Sequence, residues 1–570
     1  MRTGTYKLIL LVLFGVLALY LFSVQVVRGR SFYTLSLKNY IRLIPQEASR
    51  GRILDRNNNV IVDNILSFDA VVVPQELKDK KRVFKKLSAA LGIEEENLYR
   101  IYDRLYANPF TPVVLARGIS KATAIGLEEE SLELEGAHVE LNVRRFYPFG
   151  PRAAHVLGYV GEIDRSRITR LKDYGYDIKD KVGYGGIEEV LDSYLRGQKG
   201  GQQVEVDNRG RQVRLLGYKP PLRGRDVQVT LDLELQQIAD ELLQGQKGAI
   251  VVMDARTGEI LVMASSPAFD PNVFVERKDK KALNYLLSSR EAPLLNRAIS
   301  GQFPLGSVFK VVTAAASYKA KKINPSLTYV CAGRLRVGDR YFKCWSEHGT
   351  QDFYQAMGHS CDVYFYRLGF TAGADMLTQT AHDFGLGALT GIDLPQEASG
   401  FIPGRMWKRL KFFDGWYDGD TANFSIGQGY VLVTPLQSAR MMAMVANGGE
   451  AVVPHVTKAV DGVRVLPKES KEIKISPEAL KLIRDSLRFP VALEDGTAHV
   501  LDIKGLEMCA KTGTAQVHGA GSHGWVAGFF PKDNARYAFC ILLENVGSSH
   551  SACVLAKELF EQGAKRGKFL

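Results

Sequence analysis

Residues 301–315 read GQFPLGSVFKVVTAA, and the rest of the chain is organised around them. A turn-forming cluster, Pro304 to Gly306, stops at Ser307, and from Val308 the pattern is apolar and helix-compatible through Ala316. This places a helix start at Ser307. Lys310, three residues on, then stacks on the same face. A serine hydroxyl is a poor nucleophile until a neighbour takes its proton. A lysine can do so when burial or nearby cations lower its pKa. The helix N-terminus also points unpaired N–H groups at an oxygen that becomes negative during attack. Ser-x-x-Lys alone is a frequent pattern, and serine is an ordinary N-cap. The catalytic reading therefore needs partners elsewhere.

Two such partners occur downstream. Ser360-Cys361-Asp362 precedes the apolar run Val363-Tyr-Phe-Tyr366, and Lys511-Thr512-Gly513-Thr514 leads into Ala515-Gln-Val517 as a strand, followed after a loop by a strand at Tyr537 to Leu543. Acyl transfer needs a nucleophile, a proton acceptor, a proton route to the leaving amine and an oxyanion site. In that scheme Ser307 attacks, Lys310 takes the proton and Ser360 relays one to the departing amine. Lys511 offers charge to a substrate carboxylate and shifts the pKa of its neighbours. Gly513 lets a substrate backbone approach, while Thr512 and Thr514 offer hydroxyls. An edge strand here would pair with an extended peptide.

The chain has 570 residues and a formal net charge of +12. That length implies two or more domains. The positive balance fits a solvated basic surface or a polyanionic-wall preference, and no zinc-finger or RNA-binding signature argues for nucleic acid. Leu8 to Val27 is twenty residues without charge, long enough to cross a bilayer. The run exceeds a signal-peptide core and lacks a clear cleavage site, so it reads as an uncleaved anchor behind a short cytoplasmic tail. The charges Arg2, Lys7, Arg28 and Arg30 flank it on both sides. Segment 1–30 is thus tail and anchor, and 31–225 a mixed, elongated α+β spacer or pedestal. A Pro/Gly/Arg cluster at Pro220 to Arg225 then opens a 226–570 catalytic domain. Arg50 to Val62 reads as a hairpin about an Asn-rich turn, and Leu77 to Leu91 as a helix. Gly248 to Asp254 and Glu259 to Ala264 read as an antiparallel hairpin at the centre of the catalytic sheet.

Ser307-x-x-Lys310, the Ser360-Cys361-Asp362 triplet and Lys511-Thr512-Gly513, in this order, form the motif set of penicillin-binding proteins and class A β-lactamases. The chain resembles a class B penicillin-binding protein, an elongation-type peptidoglycan D,D-transpeptidase. The resemblance covers nearly the whole length. It includes the anchor, the Arg50-Gly-Arg-Ile-Leu-Asp55-Arg56 hairpin, Gly185-Gly-Ile-Glu188, the three motifs, Gly427-Gln-Gly429 and Asp495-Gly-Thr-Ala498. The resemblance implies a multidomain α+β fold: an anchor, a dimerisation-type pedestal, and a β-lactamase-like domain whose antiparallel sheet is flanked by helices. It implies acylation of Ser307 by a stem peptide ending in D-Ala-D-Ala, attack by an amine on a neighbouring stem, and inhibition by β-lactams. Asp362 stands where the wider family usually has Asn and the elongation branch commonly has Asp. The N–H groups of Ser307 and Thr514 would form the oxyanion hole. A polytopic glycan polymerase of the shape-elongation-division-sporulation family, with other elongation proteins, would meet the pedestal. The location implied is the bacterial inner membrane, single-pass, with the bulk of the chain outside the cytoplasm.

Six cysteines stand at 331, 344, 361, 509, 540 and 553. Outside the cytoplasm disulfides are expected, with Cys331–Cys344 as a pair. Yet Cys331, Cys344, His348 and Cys361 crowd between the first two motifs with twelve, three and twelve residues between them. A Cys₃His set suits a structural, tetrahedral zinc, with His359 as a substitute ligand. Some elongation-type relatives resemble this chain in carrying a mixed-ligand metal site there. Cys509, Cys540 and Cys553 read as core residues. The rival functions are a D,D-carboxypeptidase or β-lactamase of the same fold and a non-enzymatic penicillin-binding scaffold. The Glu-x-x-Leu-Asn loop of a class A β-lactamase is not found, Gln396-Glu-Ala-Ser399 being a poor substitute. A glycosyltransferase signature is also missing, and seven residues before the anchor leave no room for a sensor's output domain.

Overall fold

The computed structural model describes residues 2–33, 41–109, 111–178, 180–206, 212–276, 279–321, 323–517, 519 and 521–569. The spacer reading at 34–40 and 207–211 falls outside the described residues. The chain opens with the helix Arg2–Phe22, which continues as a π-helical turn over Ser23–Val27. Gly4–Val27 has a mean hydropathy of 2.5 and is long and apolar enough to cross a membrane.

Two compact units follow. The smaller comprises 1–51, 64–144 and 196–224. Its core gathers Phe84 and Leu87 of the helix Lys80–Leu91, Leu98 and Tyr102 of Glu95–Leu105, and Val113 and Leu115 of the strand Val113–Ile119. The helix read from Leu77 starts at Lys80 because Asp79 caps it, accepting from the Arg82 N–H.

The larger unit comprises 52–63, 145–195 and 225–570. Residues 52–63 and 145–195 lie within the 31–225 segment, yet Ile53, Val62, Val156 and Ile187 join the same core as Val251 and Phe309. Their anchoring is polar as well as apolar. Asp55, fully buried, accepts from Asn57 N (2.8 Å) and Asn59 N (2.7 Å), and Arg52 forms a forked pair with Asp226. Arg145 and Glu188 form a buried ion pair of 2.6 Å, which Tyr147 joins through its hydroxyl.

The catalytic sheet has five antiparallel strands in the order Ile260–Ser266, Gly248–Asp254, Tyr537–Leu543, Gly521–Phe530, Cys509–Val517. The Gly248–Ser266 hairpin therefore lies to one side, and the centre belongs to Tyr537–Leu543, whose seven residues are all buried. Its alternation explains why. Ala538, Cys540 and Leu542 enter one core with Met441 and Met444, while Phe539, Ile541 and Leu543 enter the other with Leu559 and Phe560. A strand apolar on both faces belongs between two helical layers. The layers are the helix Pro435–Asn447 on one side, and His550–Lys565 with Leu233–Leu242 on the other. The strand Gly521–Phe530 is missing from the sequence reading. Its opening Gly521-Ser-His-Gly524 looks like a loop, and only pairing on both sides makes it a strand.

One half-buried carboxyl ties the 145–195 segment to the helix Leu233–Leu242. Asp240 accepts from Ala153 N (3.0 Å) and Gln236 Nε2 (3.1 Å), and burial pushes its carboxyl from 3.8 up to about 7. A folded value above the unfolded one gives stability that is complete below 3.8 and lost as pH rises through 7. Raising the pH from 5 to 8 should therefore cost roughly 2 kcal/mol. Calorimetry should show the melting temperature falling over that range in the parent, with a flatter pH profile in Asp240→Asn.

Candidate active site

Ser307 lies in a 3₁₀ turn, Gly306–Phe309, that runs into the α-helix Lys310–Lys319. The expected helix start is thus a tighter turn, with regular α-helix beginning three residues later. Gly306 explains the entry. It has φ of +60°, and its N–H donates to Gly427 O at 2.9 Å. Ser307 is left half-buried on a helix whose Val311, Val312 and Ala314 to Ala316 are all buried.

Lys310 has no exposed surface. Its ammonium donates to Ser360 O (2.6 Å), Ser360 Oγ (3.1 Å) and Asp362 Oδ1 (2.7 Å). The first two motifs therefore converge. Ser360 takes a left-handed conformation, φ +53°, at the end of the helix Phe353–Gly358. Cys361 N bonds Ala356 O (2.9 Å) and Ser360 N bonds Met357 O (3.3 Å), which is a Schellman closure with serine where glycine is usual. The next helix, Asp362–Ala372, starts at once. Burial raises the Asp362 carboxyl above its ordinary value, against the pull of the Lys310 cation.

The Lys-Thr-Gly segment occupies the strand Cys509–Val517, which ends the sheet and so leaves an edge, as the sequence reading expects. Lys511 is fully buried. Burial first, and then the Lys310 cation, hold its ammonium well below the usual lysine value, with Asp362 opposing. Lys511 thus lies within the field of both charged groups of the other motifs. Two glycines let the Ser307 turn and this strand touch. A Cβ on Gly513 would come within 2.9 Å of Leu305 O, and one on Gly306 within 2.9 Å of Thr514 O.

Two contacts were not assigned from the sequence. Thr512 Oγ1 donates to Thr497 Oγ1 (2.9 Å), and Thr497 bonds Gly358 O through N (3.2 Å) and Oγ1 (3.3 Å). Thr497 thereby links the strand to the end of the helix Phe353–Gly358, just before Ser360. Gln428 Nε2 donates to Thr514 O at 3.3 Å from the Gly427-Gln-Gly429 turn. The signal for both was glycine-flanked polar residues, which periodicity does not weigh.

Cys331, Cys344, His348 and Cys361 also converge, with ligand atoms all within 4.8 Å of one another. His348 Nδ1 is 3.6 Å from Cys331 Sγ and 3.5 Å from Cys344 Sγ. All six cysteines are free thiols, so the Cys331–Cys344 bridge is not formed. A hydrogen bond from Cys361, with N–H groups around it, brings the Cys344 thiol down to about 4, while its presence and burial push the Cys361 thiol up. The Asp362 N–H donates to Cys344 Sγ at 3.2 Å, so this cluster abuts the second motif directly. His359 is engaged elsewhere, by Gln351 Oε1 (2.7 Å) and Asp495 Oδ2 (3.1 Å).

Comparison with known proteins gives two family matches. Residues 248–562 match the penicillin-binding protein transpeptidase domain, and residues 45–229 match the penicillin-binding protein dimerisation domain. The chain is 32% identical to the peptidoglycan D,D-transpeptidase MrdA of Escherichia coli K12, over 97% of this chain and 92% of that one. Among solved structures it resembles the penicillin-binding protein PBP2 of Helicobacter pylori in complex with MreC. That match has a TM-score of 0.82 and 29% identity, over 92% of this chain and 99% of that one. It also resembles a chain in a peptidoglycan synthase complex that coordinates polymerization and crosslinking. Here the TM-score is 0.74 and the identity 30%, over 98% and 97% of the two chains.

The close approach of the Gly427 turn to Ser307 is open to a direct test. A Cβ at Gly427, φ +70°, would lie 2.3 Å from Gly306 O and 2.6 Å from Phe309 Cβ. Gly427→Ala should destabilise the chain by more than about 1 kcal/mol in urea unfolding. It should also raise hydrogen exchange at the Gly306 amide, which bonds Gly427 O.

Proposed function

The chain belongs to the class B penicillin-binding protein family, in its elongation-type peptidoglycan D,D-transpeptidase branch, and on that premise we propose that Ser307 carries the acyl group during cross-linking. The observation that carries this reading is the buried Lys310 ammonium, three residues after Ser307, held by Ser360 and Asp362. Lys310 first gives a proton to Asp362 Oδ1, 2.7 Å away, and its neutral amine then takes the Ser307 proton as Oγ attacks the carbonyl carbon of the penultimate D-alanine of a stem peptide. The C–N bond breaks, and terminal D-alanine leaves with a proton relayed through Ser360. An amine of a second stem then attacks the ester and restores the serine. Asp362 holds Lys310 in place, and Lys511 offers charge to the substrate carboxylate. Thr512, Gly513 and Thr514 line the edge strand along which an extended peptide would pair, and the N–H groups of Ser307 and Thr514 bind the oxyanion.

The helix Gly4–Val27 serves as a single-pass anchor in this reading, with the remaining chain on the outer face of the bacterial inner membrane. The smaller unit would meet a polytopic glycan polymerase and other elongation proteins. Support comes from the two similar structures, one a complex with MreC and the other a peptidoglycan synthase complex.

Zinc fits the Cys331, Cys344, His348 and Cys361 donors. Sulfur and imidazole at ordinary zinc bond lengths stand roughly 3.5 Å apart across a tetrahedral edge. The observed sulfur–nitrogen separations are 3.5 and 3.6 Å. The metal would supply structure rather than water activation, because a serine performs the attack. It would pin Cys361 between Ser360 and Asp362.

Intact-mass analysis after benzylpenicillin should find one stable adduct on Ser307 and none on Ser307→Ala. Lys310→Ala should acylate at least about 100-fold more slowly. Rapid return to the unmodified mass would instead indicate a hydrolase. Elemental analysis should find one zinc per chain. Chelation or Cys344→Ser should remove it and lower the melting temperature, and a metal-free parent would sink the zinc reading.

A further inference from the structure

We propose that an exposed aromatic ledge beside the Ser307 cleft seats the sugar rings of the glycan strand whose stem peptides enter the site. The proposal rests on the acyl-transfer reading above and adds where the polymer lies.

The ledge is built into the site's own framework. The Gly427 to Val433 segment is hydrogen-bonded on one side to the chain entering Ser307. There Gly306 N bonds Gly427 O, and Phe303 and Val433 exchange two bonds of 2.9 Å. On its other side Leu432 and Phe401 exchange bonds of 2.8 and 2.6 Å. Tyr430 stands within this segment, two residues beyond Gln428, which reaches Thr514 O. Around Tyr430 gather Trp407 (ring centroids 4.9 Å apart) and Phe412 (5.3 Å). Trp407 also touches Phe401 (4.7 Å) and Phe412 (5.4 Å).

The helix Arg405–Phe412 carries the outer part of the ledge. Its inner side is fixed by the buried Lys408, paired with Asp420 at 2.5 Å. Met406 and Leu410 are exposed on its far side, Phe412 is about half exposed on the Lys408 side against Tyr430, and the chain then passes through Phe413, which is 93% exposed with φ of +55°. A bulky aromatic residue in the left-handed region is strained, and here no burial offsets the strain. Tyr430 and Phe412, whose rings meet, and the adjoining Phe413 thus expose aromatic surface together, and such a patch marks a binding surface.

Chemistry selects the occupant. A sugar ring presents an apolar C–H face that stacks on an aromatic ring while its hydroxyls stay in water. The stem peptides on a glycan strand add carboxylates, and exposed Arg409 and Lys411 on the same helix complement them. The ledge is joined to the Ser307 turn through the hydrogen-bonded Gly427 to Val433 segment. A polypeptide partner would use the apolar surface without needing that continuity.

The test uses the full chain in detergent, with soluble uncross-linked glycan strands bearing pentapeptide stems as one probe and free pentapeptide as the other. The Phe413→Ser variant changes a side chain that is 93% exposed, and the Phe412→Ser/Phe413→Ser double variant also removes a half-exposed ring of the ledge. Its affinity for the glycan strands should fall at least about tenfold, with pentapeptide binding and penicillin acylation of Ser307 unchanged. Equal glycan affinity in parent and variant overturns the proposal and leaves the surface to a polypeptide. An equal loss for free pentapeptide also overturns it. Glycan binding decides the ledge, while penicillin labelling of the parent separately decides the reading it rests on.

Discussion

A lysine ammonium sealed from water is the constraint around which the larger unit is arranged. Lys310 has no exposed surface, and burying an unpaired charge is prohibitive. The charge is tolerated because Asp362 and the Ser360 carbonyl receive it at 2.7 and 2.6 Å. That demand explains the left-handed backbone at Ser360, which brings a carbonyl, a hydroxyl and, two residues on, a carboxylate to one ammonium. Burial, and after it the nearby Lys310 cation, make the Lys511 ammonium hold its proton poorly.

Backbone proximity does the rest. Gly306, Gly427 and Gly513 stand where three segments pass too closely for a Cβ, and each removes the atom that would hold the segments apart. The Ser307 turn is therefore positioned by main chain on two sides: the Gly427 turn and the Lys-Thr-Gly strand. Side-chain bonds through Thr497 and Gln428 reinforce the arrangement. The thiol and imidazole cluster adds a third support, since Cys344 accepts from the Asp362 N–H.

Much of this was legible because the chemistry is local. Ser-x-x-Lys and Lys-Thr-Gly are short, and their side chains act within a few residues of the turn or strand that carries them. The motifs singled out Ser307, Lys310, Ser360, Asp362 and Lys511, and in the structure Lys310 meets Ser360 and Asp362, with Lys511 in their field. Less legible were features that depend on neighbours far along the chain. The strand Gly521–Phe530 looks like a loop until it is paired, and the hairpin at Gly248 proved peripheral because Tyr537–Leu543 inserts at the centre. The same holds for residues 52–63 and 145–195, whose apolar side chains have no local pattern that says which core they enter.

The sequence by itself determined the apolar N-terminal span, the three motifs and the family. Those follow from length, residue type and spacing, which need no folding to be read. Only the tertiary structure decided which groups share a proton-holding cluster, which strand forms the edge, and that three thiols and an imidazole meet beside Asp362. The physical reason is that burial and charge are properties of surroundings. Lys310 and Lys511 are ordinary lysines until some fifty and two hundred residues of intervening chain fold back to exclude water from them.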